Sequence, residues 1–131
     1  APNYFLGNVA IGATTQTEKL TVTGNIKATQ QVAGGYAAHT AGTVAMALAT
    51  NAVVKVTPNA TATFTTTVAP AGSRASVIIV TSGVTSYTIT FGTGFLTTGT
   101  LATGTTTAKT FAIEFVSDGT TMIETGRTTA M

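Results

Sequence analysis

The sequence has no cysteine, no tryptophan and one histidine, and only 8% of its residues are charged, against about 25% in an ordinary globular domain. Without cysteine there is no disulfide framework, no thiolate metal site and no thiol nucleophile. Six basic residues stand against four acidic ones. Lys19, Lys27, Lys55, Arg74, Lys109 and Arg127 are scattered along the chain rather than clustered as a nucleic-acid binder would cluster them, so no nucleic-acid partner is expected. The longest strongly apolar run, Val77-Ile78-Ile79-Val80, falls far short of the roughly 20 residues that cross a bilayer as a helix; no membrane segment is expected. The first residues, from Ala1 to Asn8, lack the basic start and long apolar core of a leader, and a small first residue fits removal of an initiator Met.

What is present points one way. Hydrophobic residues make up 44% of the 131, roughly a quarter of the chain is Thr and roughly a sixth is Ala. That is too apolar and too weakly charged for a disordered tail. Glu, Lys, Leu, Arg and Gln are scarce. Thr, Val, Ile and Phe recur instead in short runs, punctuated by Gly, Asn-Ala, Ser-Gly and Asp-Gly, which is a strand pattern.

The clearest element is near the C-terminus. Phe111, Ile113 and Phe115 share one face of a strand, Asp118-Gly119 supplies the positive φ of a tight hairpin turn, and Thr121 to Thr125 returns with Met122 and Glu124 on one face. Ala75 to Thr81 reads as a buried strand. Ser86 to Phe91 alternates, with Tyr87, Ile89 and Phe91 facing one way. Ala52 to Thr57 and Thr61 to Val68 read as a pair joined across Pro58-Asn59, with Val54, Val56 and Phe64 inward. Thr43 to Leu48 fits either a strand or one helical turn. From residue 43 to 131 this gives six or seven short strands at the turn spacing of a sandwich or small barrel. The expected fold is therefore all-β: an N-terminal extended arm with short strands, residues 1–42, followed by a compact β-sandwich or small β-barrel, residues 43–131.

The arm holds two short strand candidates, Val9 to Ile11 and Leu20 to Val22, and then an Ala/Gly stretch without a period. Its few large apolar side chains cannot offset about 1–2 kcal/mol per residue of backbone ordering. Tyr4, Phe5, Leu6, Val9 and Ile11 are accordingly the expected subunit-contact residues. The long uncharged run from Ala75 to Ala108 also calls for a cover, and both features point to an oligomer.

Signals for chemistry are weak. His39 could serve a hydrolase only with a nucleophile from Ser73, Ser76, Ser82, Ser86 or Ser117 and an orienting acid such as Asp118; the sequence offers no strand-to-helix serine elbow. His39, Glu18, Glu114, Asp118 and Glu124 lack the dense spacing of metal ligands. Glu114 and Glu124 could face each other across the hairpin around a cation, but pairing of one of them with Arg127 is the simpler reading. Phe91-Gly92-Thr93-Gly94-Phe95 has neither the spacing nor the following helix of a phosphate loop and reads as turn glycines flanking a strand. No enzyme activity, cofactor or metal is expected.

Gly7-Asn8-Val9-Ala10-Ile11-Gly12-Ala13-Thr14-Thr15, followed by Glu18-Lys19-Leu20-Thr21-Val22-Thr23-Gly24-Asn25-Ile26, resembles a segment common in trimeric bacteriophage tail fibres and related adhesins, with Ala10 where that family prefers Gly. Phe115-Val116-Ser117-Asp118-Gly119 leading to Arg127-Thr128 looks like the C-terminal β domain of small phage virion proteins. The resemblance implies a homotrimeric phage structural protein of the virion. The short chain, one arm and one β domain, is most similar to a capsid decoration, or cement, protein whose partner is the major capsid protein. The alternatives are a tail fibre, spike or other tail component, and a non-viral surface or filament β protein.

Overall fold

A computed structural model of the chain describes residues 35–40 and 43–131, and every described element is a strand. The first six strands are β1 (Tyr36–Thr40), β2 (Val44–Met46), β3 (Val53–Thr57), β4 (Ala62–Thr66), β5 (Arg74–Thr81) and β6 (Thr88–Phe91). After them come β7 (Phe95–Leu96), β8 (Leu101–Ala102), β9 (Lys109–Ser117) and β10 (Met122–Arg127). A six-stranded sheet runs β1-β3-β5-β9-β10-β7 and a four-stranded sheet runs β2-β4-β6-β8.

Up to β6 the chain alternates between the sheets, so each strand pairs with the strand two places on in sequence. β1, β3 and β5 are mutually parallel, with Tyr36 beside Val53 and Val53 beside Ser76. β2, β4 and β6 are parallel in the same way, with Val44 beside Phe64 and Ala62 beside Ile89. The result is a solenoid-like stack of coils. It is closed by an antiparallel end: β9 returns along β5, β10 along β9, and β8 along β6.

This arrangement corrects one expected pairing. Val53–Thr57 and Ala62–Thr66 do not pair across Pro58-Asn59; they lie in different sheets. The inward alternation was legible, because Val54, Val56, Ala62 and Phe64 are all buried. Alternation assigns a face and leaves the partner strand open. Here two strands that both point inward meet the core from opposite sides, and buried Pro58 begins the crossing between the sheets. The all-β expectation holds for the described residues, whereas the finer expectation of a compact β-sandwich or small β-barrel gives way to two sheets in a solenoid-like stack of parallel coils. Tyr36–Thr40, which falls within the stretch read as arm, is paired strand β1. Thr43 to Leu48 supplies a strand, not a helical turn.

The core lies between the sheets. Val54, Val56, Val77, Ile79, Ile113 and Phe115 come from the six-stranded side, and Val44, Met46, Phe64 and Ile89 from the other. Four phenylalanines join the layers. The Phe64 and Phe91 ring centroids are 6.0 Å apart and nearly perpendicular, Phe91 lies 5.4 Å from Phe95, and Phe95 lies 5.0 Å from Phe115. Edge-on and tilted contacts of this kind suit the aromatic quadrupole.

The expected C-terminal hairpin is present, with Met122, Phe111, Ile113 and Phe115 buried. Four residues, 118–121, connect the strands beyond the Ser117–Met122 pair; within them the Asp118 N–H donates to the Thr121 carbonyl at 3.2 Å, and Gly119 takes φ +92°. Asp118 Oδ1 accepts from the N–H groups of Thr120 and Thr121 at 2.8 and 2.7 Å. These bonds favour the charged carboxylate and lower its pKa to about 2.

Candidate functional site

The strands of the four-stranded sheet, Val-Ala-Met, Ala-Thr-Phe-Thr-Thr, Thr-Ile-Thr-Phe and Leu-Ala, contain no charged residue. With Val44, Met46, Ala62, Phe64, Ile89 and Leu101 turned into the core, period-2 alternation turns Ala45, Thr63, Thr65, Thr88, Thr90 and Ala102 outward. All of these are exposed except Thr65, which is half-buried. The register sets Ala45 beside Thr65, Thr63 beside Thr90, and Thr88 beside Ala102. Thr61 extends the array at its edge, where its hydroxyl accepts from the Thr88 N–H at 3.2 Å. The outer face is thus a grid of methyl and hydroxyl groups, about 4.8 Å apart across strands and about 6.6 Å apart along them.

Charge lies elsewhere. Among the described residues Lys55, Arg74, Lys109, Glu114, Glu124 and Arg127 all belong to the six-stranded sheet, and Asp118 to the turn of its hairpin. Lys109 is buried at the end of β9, where its Nζ donates to the Thr103 carbonyl and its N–H to Thr81 Oγ1.

Glu124 and Arg127 form a clasp. Residues three apart on a regular strand point to opposite faces, but β10 carries a register shift between Glu124 and Gly126. The extra residue brings Arg127 round to the side of Glu124. Arg127 Nε lies 2.5 Å from Glu124 Oε1, and its remaining nitrogens donate to the Thr100 and Gly99 carbonyls, each at 3.1 Å. Glu124 Oε2 also accepts from the Thr98 N–H at 3.0 Å. The guanidinium beside it holds the Glu124 carboxyl below its ordinary value, and Glu124 in turn raises Arg127. The clasp pins the loop between β7 and β8 to the hairpin, with Arg127 5.7 Å above the Phe91 ring.

The candidates for chemistry are not brought together. His39 sits on β1, separated from β9 by β3 and β5, while Asp118 is bound into its own turn. Ser76 Oγ donates to Glu114 Oε2 at 2.8 Å, Ser117 Oγ donates to the Ala69 carbonyl at 2.5 Å, and Ser86 Oγ accepts from the Gly104 N–H. Glu114 is exposed and bound by Ser76, whereas Glu124 is bound by Arg127, so each carboxylate has a partner of its own and the pairing with Arg127 falls to Glu124. Among the described residues no group of three or more His, Asp or Glu side chains is placed to hold a metal ion. Gly92 and Gly94 serve a turn: Gly94 takes φ +89° and packs its α-carbon against the Thr66 carbonyl.

A groove of about 260 Å³ opens where β1, β3 and β5 end, lined by Thr40, Thr57, Asn59, Ser82, Thr85 and Tyr87 among others. It too lacks charge. The expected contact residues Tyr4, Phe5, Leu6, Val9 and Ile11 lie outside the described residues. The threonine grid escaped the reading of the sequence, although Thr61-Ala62-Thr63-Phe64-Thr65 and Thr88-Ile89-Thr90 carry its signature as strict alternation. No family model matches the chain, nor does any curated protein or solved structure.

Proposed function

We propose that the protein is a virion structural protein, a capsid decoration protein that acts as a homotrimer and stabilises a phage head by clamping neighbouring capsomers of the major capsid protein. The observation that carries this reading is the one-sided distribution of charge. A surface meant only for water intersperses charges of both signs; here one sheet bears the described charges and the other presents none. A protein that lies on a particle, with one side against it and the other in solvent, has this asymmetry. The resemblance of the N-terminal segment to trimeric phage proteins supplies the virion setting and the threefold symmetry.

The mechanism is adhesion without turnover. Buried apolar surface contributes about 25 cal/mol per Å², and linking three copies converts later contacts into intramolecular ones. Tyr4, Phe5, Leu6, Val9 and Ile11 belong in this reading to the chain-to-chain contacts. The same N-terminal motif favours a second reading, a tail fibre or spike component involved in host attachment. Quantitative protein staining of purified virions separates the two: hundreds of copies per particle support decoration of the head, and a few dozen or fewer overturn it in favour of the tail.

A further inference from the structure

We propose that the outer threonine grid of the four-stranded sheet is the docking face, and that its occupant is a flat, uncharged protein surface repeated across a lattice. This rests on the decoration reading. Four strands about 4.8 Å apart, of three, five, four and two residues at about 3.3 Å per residue, outline a face on the order of 200 Å². A stable two-body interface needs about 800 Å² from each partner. The face is therefore too small to hold two copies of this chain together by itself, and it works only where several copies engage repeated sites at once.

The chemistry of the grid defines its complement. Thr63, Thr65, Thr88 and Thr90 are β-branched, so their side chains lose little rotamer freedom on contact. None carries a charge, so docking strips no ion of water and gains nothing from counterions. The complement is correspondingly a surface of small side chains and neutral hydrogen-bonding groups. An acidic or basic patch would be left unpaired against this face.

The test measures cosedimentation of the full chain with particles lacking the native protein, at low and at high NaCl. Wild type is expected to bind with less than about twofold change in affinity between the two, because no charge pair is there to be screened. The double variant Thr63→Lys, Thr90→Lys alters only exposed positions, which lie side by side on β4 and β6, and is expected to keep the wild-type circular dichroism spectrum with a melting temperature lowered slightly by repulsion between the paired ammonium groups. It should lose at least about tenfold in affinity. Lys55→Gln, on the charged sheet, should bind like wild type. Failure of wild type to bind depleted particles overturns the decoration reading. Binding by wild type with full binding by the lysine double variant, or a steep loss with salt, overturns the docking face alone. A change of the double variant's mass in solution overturns it in favour of a contact between copies.

Discussion

Phe115 is the side chain on which the two layers depend most directly. It is 1% exposed, projects inward from the C-terminal half of β9 and stands 5.0 Å from the Phe95 ring and 6.3 Å from the Phe91 ring. Phe115→Ala removes a phenyl ring packed between β9 and the facing ends of β6 and β7. Such truncations cost about 3–5 kcal/mol, the lost transfer free energy plus the cavity left behind. Small domains hold only about 5–15 kcal/mol in total. At about 4–8 °C per kcal/mol for a domain of this size, the melting temperature should fall by at least about 12 °C. Urea denaturation followed by far-ultraviolet circular dichroism measures the same quantity at constant temperature, and the midpoint should drop without a change in slope. A loss below about 1 kcal/mol would show that the aromatic cluster closes over the gap, and the assignment of β9 as the central inward-facing strand would be refuted.

Gly94→Ala and Gly72→Ala both place a side chain at positive φ, +89° and +84°, but only at Gly94 would the new Cβ run into a backbone carbonyl, that of Thr66. Thermal melts should therefore show about 1–2 kcal/mol of strain at Gly72 and a larger loss at Gly94. The lowered carboxyl of Glu124 contributes stability that is fully present above its unfolded value, near 4.5, and is lost as the pH falls through the folded value. Glu124→Gln should flatten the acid limb of a stability–pH curve while leaving the part due to Asp118, which extends down toward about pH 2. A chain beginning near Gln30 should keep its β spectrum and lose attachment to depleted particles, because single copies of so small a face do not hold once the chain-to-chain contacts are gone; attachment at full occupancy would show that the N-terminal segment is not needed to link the copies.

The faces of the strands were legible in the sequence, and their partners were not. Phe111, Ile113 and Phe115 alternate with half-buried or exposed residues, and a well-formed turn follows, so both strands of the hairpin could be placed. In the coil stack each strand pairs with one beyond an intervening strand of the other sheet. No local turn announces such a pairing, and the eye joins Val53–Thr57 to its sequence neighbour instead. β1 is harder still. Tyr-Ala-Ala-His-Thr has small side chains and no hydrophobic alternation, and its strand character comes from lying beside Val53–Thr57. β7 and β8 are two residues each, too short for any period. The threonine grid was hidden by composition: where roughly a quarter of the residues are Thr, a Thr-x-Thr spacing stands out only after the sheet shows which of them share a face.

A charge-free sheet carries a hazard that the fold addresses through the lengths of its strands. Unpaired strand edges without charge are templates for adding further strands, and long ones aggregate. Among the described residues the edges of the four-stranded sheet are β2 and β8, which span three and two residues. Edges this short offer few hydrogen bonds to an incoming strand. The longer strands β4 and β6 lie inside the sheet, where both of their edges are paired, and expose only side chains. Contact with the sheet is thereby steered toward its face, where the threonines stand, and away from its ends. Hydration falls to the opposite sheet, where Lys55, Arg74 and Glu114 sit on β3, β5 and β9. Short edges and charge placed on the other sheet together leave the four-stranded sheet a neutral face with little edge to which a further strand could add.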